Sequence, residues 1–283
     1  MKRQAVYLCL TLLLAFACNG TADPDYESRL VVEASIFSGE APEVILTMSL
    51  PPGTPALEAE VVGRQVVEQA LVTISDGTKE VLLTGRYREG AVPPYVYTCD
   101  DLKGEEGKTY TLHVETPSHK AKATARIPAA VPLTDIVPDR YGNADSTWLL
   151  RARFRDPEGE RNFYKFFSRI EGVDRTYCPT RLDLIDDAVL VAGTETEVIV
   201  LPGATLFVPE GEDRSCYHSG DTVHVRFCTM TEEITHVWSV YDSEAIRILF
   251  PILSSVGNLP GNVEGALGYF AGYGCHEQRI VID

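Results

Sequence analysis

The residues of this chain best suited to chemistry are cysteines and histidines in its last third. Cys216, His218, His224 and Cys228, with Cys275 and His276 further on, offer the thiolate and imidazole donors of a tetrahedral zinc site. Their spacing matches none of the compact finger or ribbon patterns. In an exported chain thiols pair oxidatively, so disulfides beside surface histidines are expected, with no metal and no cofactor. Two acidic clusters come next. Asp156-Pro157-Glu158-Gly159-Glu160 gathers carboxylates of the kind calcium takes, but it is far shorter than a calcium-binding loop and reads as an acidic hairpin turn. Asp183, Asp186 and Asp187 would supply the paired carboxylates of a glycosidase, although such runs are mostly solvated faces. The chain has no G-x-S-x-G, S-x-x-K or H-E-x-x-H. No catalytic residue is assigned, and the chain is read as a non-enzyme.

The elements that would hold these residues are mostly strands. From Leu30 to Ile127 run "RLVVEASIF", "EVILTMSL", "ALVTISDG", "KEVLLTGR", "YVYTCD", "KTYTLHVET" and "KAKATARIP", separated by turn signals such as Asp76-Gly77 and "KGEEGK". In "KTYTLHVE", Tyr110, Leu112 and Val114 share one face, while Thr109, Thr111 and His113 share the other. This predicts an immunoglobulin-like or transthyretin-like β-sandwich over residues 29–127, with Lys79, Lys120 and Lys122 on edge strands. Pro128, Pro132 and Pro138 mark a junction over 128–147 that blocks helix and interrupts sheet pairing.

A second β-rich domain is expected over 148–283. "STWLLRARFRDPEGERNFYKFFSRIEG" reads as two strands around the acidic turn, followed by "LDLIDDAVLV", "TEVIVL", "ATLFVP" and "DTVHVRFCTM". In the last of these, Val223, Val225 and Phe227 face one way and His224, Arg226 and Cys228 the other. One helix is predicted at about residues 231–249. Thr231 is its N-cap, Glu232 and Glu233 lie at the positive end of its dipole, and Ile234, Val237, Trp238, Tyr241, Ala245 and Ile248 form its apolar stripe before Pro251 ends it. The Gly-rich stretch 257–274 lacks the lysine and the strand-turn-helix context of a phosphate loop, so it reads as turns beside a close-packed strand. Its Tyr269, Phe270 and Tyr273 are expected in the core rather than on a sugar-stacking platform.

Lys2 and Arg3 precede an uncharged, Leu-rich stretch from Ala5 to Ala17, too short to span a bilayer, which reads as a signal peptide over residues 1–17. Ordinary cleavage after Ala17 is the plain alternative. The preferred reading is a lipobox, Leu14-Ala15-Phe16-Ala17-Cys18, with Cys18 lipidated and residues 18–28 as a polar tether. Cys9 goes with the leader, leaving Cys99 as an expected buried thiol and four cysteines that allow three pairings. The expected pairs are Cys216 with Cys228 and Cys178 with Cys275.

The formal net charge is −16, and it becomes more negative once Lys2 and Arg3 leave with the leader. Such a surface repels phosphate backbones, and no basic run or stripe offsets it, so nucleic acid is excluded as a partner.

Taken in order, the lipobox, "RLVVEASI", "ALVTISDGTKEVLLT", "GEEGKTYTLHVETPSHKAKATARIP", "DPEGERNFYKF", and a late helix carrying "VYD" before "PGNVEGALGYFAGY" resemble the Bacteroidota lipoprotein family catalogued as domain of unknown function 4249. The resemblance spans essentially the whole chain. It implies an outer-membrane, lipid-anchored protein with a sandwich followed by a second β-rich domain, encoded beside a TonB-dependent transporter, and it carries no active-site residues with it. The first acidic residue after Cys18 is Asp23, further along than in many surface-displayed lipoproteins, so either face of the outer membrane is open. The function expected is a non-catalytic binding or accessory role beside such a transporter, in nutrient uptake or envelope assembly. The alternatives are an envelope hydrolase acting on glycan or peptide, and a structural adhesin-like module.

Overall fold

The computed structural model describes residues 26–51, 54, 59–89, 91–142, 147–180, 183–203, 215–249 and 260–283, with side chains described only up to 242 in the late helix. Cys18 and the leader, the "ATLFVP" segment, Pro251 and the loop after it lie outside the described residues. No helix among the described residues is long and apolar enough to cross a membrane.

The fold is mainly β, as expected. The first sandwich uses all seven strands read from the sequence: β1 (Leu30–Phe37), β2 (Glu43–Met48), β3 (Leu71–Ser75), β4 (Glu80–Tyr87), β5 (Tyr95–Thr98), β6 (Thr109–Glu115) and β7 (Lys120–Arg126). A short helix, α1 (Ala59–Gly63), follows β2. Strand β4 serves both layers: Glu80–Leu83 pair with β3, and Thr84–Tyr87 pair with β5. Strict alternation buries one residue in two. Leu30, Val32, Ala34 and Ile36 of β1 meet Tyr110, Leu112 and Val114 of β6 in one apolar core. The Tyr110 hydroxyl accepts the N–H of Glu105 at 2.8 Å and donates to the Lys103 carbonyl at 3.3 Å, tying the strand back to the loop before it as a tyrosine corner does. Lys120 and Lys122 lie on β7, near the sheet edge. Lys79 instead sits in the β3–β4 turn, because the Asp76 carboxylate draws in the N–H groups of Thr78 and Lys79 at 2.9 and 2.8 Å and closes the turn there.

The second sandwich packs two sheets face to face. One contains β10 (Phe163–Ile170), β15 (Thr222–Met230) and β17 (Leu267–Val281), with the two-residue strands β11 (Cys178–Pro179) and β12 (Ile185–Asp186) along the outer edge of β10. The other centres on β9 (Thr147–Arg155). It is flanked on one side by β8 (Leu133–Arg140), and on the other by β13 (Glu195–Val200) and β14 (Tyr217–His218) placed end to end. Val223, Val225 and Phe227 face this core, with Phe154, Tyr164 and Phe166.

Three expectations change here. Pro138 does not interrupt pairing: it sits within β8 opposite Leu150, because β8 is an edge strand and its missing N–H has no ladder partner to lose. The acidic turn at 156–160 is not a hairpin. Strands β9 and β10 lie in different sheets, so the turn arches between layers, with Asp156 buried and accepting the Tyr164 hydroxyl. The segment 148–283 is not all one body either. Strand β17 runs as 15 residues: Leu267–Tyr273 pair in parallel with β1 of the first sandwich, and Gly274–Val281 pair with β15 of the second. The two-residue β16 (Val263–Glu264) also joins the first sandwich, beside β7.

Candidate functional site

The face of β10, β15 and β17 that carries Lys165, Arg226, Cys228 and Cys275 is covered differently along its length. At one end it lies under α2 (Glu232–Leu249), which starts where the sequence placed it, with the Thr231 carbonyl accepting the N–H of Ile234 and of Thr235. Ile234 and Trp238, four residues apart and so on one helix face, pack into an apolar cluster with Phe163, Phe167, Met230 and Tyr273. Trp238 donates to the Tyr273 hydroxyl at 2.8 Å. Phe37, from the end of β1, stacks on Tyr273 with ring centroids 4.7 Å apart, so this cluster lies on the seam between the sandwiches.

Beneath the helix lies a charge the sequence reading did not single out. Lys165 is 0% exposed, and its Nζ reaches Asp183 Oδ1 at 2.9 Å, the Thr180 carbonyl at 3.1 Å and Asp242 Oδ2 at 3.6 Å, with the Trp238 ring centroid 4.8 Å away. Asp183 sits in the gap between β11 and β12, where its other oxygen accepts the Phe166 N–H at 3.1 Å in place of a ladder partner. Burial pushes the Asp183 carboxyl above its ordinary value. The Lys165 charge pulls it down again and the neighbouring Asp242 charge pushes it up. The Asp242 carboxyl is likewise raised by burial against the pull of Lys165. The available signal was Lys165 itself, a lone cation inside "NFYKFF" on a strand buried on both faces.

The other two aspartates of "DLIDD" turn elsewhere. Asp186 accepts the Ala188 N–H and pairs with Arg161 at 2.8 Å, while Asp187 accepts the Asn162 N–H at 2.5 Å. The three carboxylates therefore do not converge on one point.

Further along the same face, Arg226 closes the seam. It is 5% exposed and donates to both oxygens of Glu40 at 3.0 and 2.5 Å and to Glu277 at 3.2 Å, with its guanidinium 3.7 Å from the Tyr177 ring centroid and 4.9 Å from that of Phe37. At the open end, His224 meets Glu171 at 3.2 Å and Glu277 at 3.5 Å.

The expected disulfides are corrected. Cys228 bonds to Cys275, because the β15–β17 register sets them directly opposite with Cα atoms 4.2 Å apart. Cys178 pairs in register with Ser168 on the opposite face of that sheet, and Cys216 is buried just before β14 in the other layer. Neither can reach the partner assigned to it. Cys99 is buried. The zinc candidates are dispersed: two are oxidised together, His224 faces carboxylates, and the His276 ring accepts the Leu133 N–H at 3.2 Å. Among the described residues no group of three or more His, Cys, Asp and Glu side chains is gathered as a metal site. Phe270 lies in the first core, and Tyr273 and Tyr269 in or against the seam cluster, so these aromatics form no platform.

A second candidate surface lies on the first sandwich. An open groove of about 740 Å³ runs over β3, β6, β7 and β16, lined by residues that include Leu71, Thr73, His113, Glu115, Lys122 and Glu264. Thr73, His113, Lys122 and Glu264 stand opposite one another in register, a mixed-charge ladder across four strands.

No curated protein matches this chain. Among solved structures it is similar to the two fibronectin type-III domain segment from chicken tenascin, at 12% identity over 72% of this chain and 91% of that one, with a TM-score of 0.20. The family model described as "Domain of unknown function (DUF4249)" matches residues 20–279, and the chain belongs to that family.

Proposed function

We propose that this chain is a lipid-anchored outer-membrane protein of Bacteroidota with a non-catalytic binding or accessory role, working beside a TonB-dependent transporter in nutrient uptake or envelope assembly. The observation that carries the reading is the joint between the sandwiches. A single strand, β17, belongs to both, and Arg226 bolts the second body to Glu40 of the first. A two-body unit held at one orientation on a short polar tether presents a fixed surface to a neighbour in the same membrane, raising its local concentration there without new contacts. The groove over β3, β6, β7 and β16 is the presented surface, and its alternating Lys, His and Glu side chains suit a polar partner.

The anchor has a direct test. Cells fed a tagged fatty acid should label the wild-type chain, and Cys18→Ser should lose the label and be released as soluble protein. Label persisting on the Cys18→Ser chain would contradict the anchor.

A further inference from the structure

Three charged groups meet at the underside of α2 in an arrangement that a simple ion pair does not need. Lys165 and Asp183 have side chains 0% and 3% exposed, with Nζ and Oδ1 2.9 Å apart, and Asp242 stands over them from the helix. A buried ion pair gains little over an apolar replacement, since stripping water from both charges offsets their attraction. A second carboxylate leaves the set with surplus negative charge unless one proton is retained. Burial raises both carboxyls, which favours keeping that proton.

We propose that Lys165 and Asp183 are joined in the folded chain by an intramolecular isopeptide bond, formed without an enzyme and with Asp242 as the proton acceptor. In the starting state Lys165 is an ammonium, Asp183 holds the retained proton and Asp242 is a carboxylate. Asp242 takes one proton from the ammonium, and the free amine attacks Cγ of Asp183. The new C–N bond forms as the C–OH bond breaks, and the hydroxyl leaves as water with a second proton from the amine. The products are a neutral amide, one water and Asp242 as the acid, so atoms and charge balance with no oxidant, cofactor or activated ester.

The surroundings favour this direction. Lys165 is fixed on the central part of β10, and the Phe166 N–H holds Asp183 Oδ2, so the reacting groups are already placed. The Phe166 N–H also polarises the carboxyl that is attacked. Amide formation removes two charges from a largely buried site, where Lys165 is fully shielded and Asp242 only partly reached by water, which favours the neutral products more than bulk water does. The bond would clamp the β11–β12 edge onto β10 across a sequence separation of 18 residues.

The test is peptide mapping of the purified full chain by tandem mass spectrometry. The expected result is a branched peptide linking the segment around Lys165 to the one around Asp183, lighter by one water than the two linear peptides and uncut by trypsin after Lys165. Linear peptides alone, with full tryptic cleavage after Lys165, would overturn the proposal, and this readout needs no variant to fold. Asp242→Asn keeps the shape of the side chain and should leave the peptides linear in freshly folded protein. A full yield of branched peptide in that variant would overturn the role given to Asp242.

Discussion

Arg226 on β15 and Glu40 beyond the end of β1 meet through paired hydrogen bonds of 3.0 and 2.5 Å, so one guanidinium from the second sandwich grips one carboxylate of the first. The arginine is buried between Phe37 and Tyr177, while the glutamate remains half open to solvent. The two ends of the contact should therefore respond unequally.

Replacing Arg226 with Met keeps much of the packing and removes the charge. It should lower stability by about 1–3 kcal/mol, below the full cost of a buried pair because Glu40 can rehydrate. Glu40→Gln should cost less, and the double variant should cost no more than Arg226→Met alone. Urea unfolding of the four proteins measures this cycle, and strictly additive losses would show that the two groups are not coupled.

Strand β17 passes directly under the chain that links the sandwiches. A Cβ at Gly272 would strike the Arg126 carbonyl, and one at Gly274 the Pro128 carbonyl. Gly274→Ala should destabilise by about 1–3 kcal/mol, as overpacking does. Gly63→Ala, where a Cβ meets nothing within 4 Å, is the matched control and should be neutral or slightly stabilising in thermal melts.

A peptide map of non-reduced protein should contain one linked pair made of the Cys228 and Cys275 peptides. Changing both residues to Ala should lower stability by about 2–4 kcal/mol in denaturant titrations. Recovery of a Cys216–Cys228 or Cys178–Cys275 peptide would contradict the strand register.

Asp242 gives a pH signature whose sign follows from its raised pKa. Between the ordinary carboxylate value and the raised one, the folded chain holds a proton that the unfolded chain has released, so stability falls as pH rises through that window. Asp242→Asn should flatten this part of the stability curve. An unchanged slope would show that Asp242 does not carry it.

Much of the architecture was legible because it is local. Alternation in "KTYTLHVE" gave the buried face of β6, the parity of Val223, Val225 and Phe227 gave that of β15, and Thr231 gave the helix start. What local pattern does not contain is register between distant segments. Period two says which way Cys228 points but not which cysteine stands opposite, and nothing near Leu267 announces a parallel partner at Val31. Pro138 reads as a break in pairing because an edge position cannot be told from a central one until the neighbours are known. Lys165 was visible as a cation among aromatics, yet its partners come from a strand edge and from a helix far along the chain, so its site emerged only on folding.

Docking to a transporter is the role proposed for this two-sandwich unit. Affinity isolation of the native chain from detergent-solubilised membranes of its own cells is the decisive test, with a Lys122→Glu, His113→Ala variant run alongside. A TonB-dependent transporter should copurify with the wild-type chain and be depleted with the groove variant at equal thermal stability. Recovery of the chain without any transporter would contradict the proposed role.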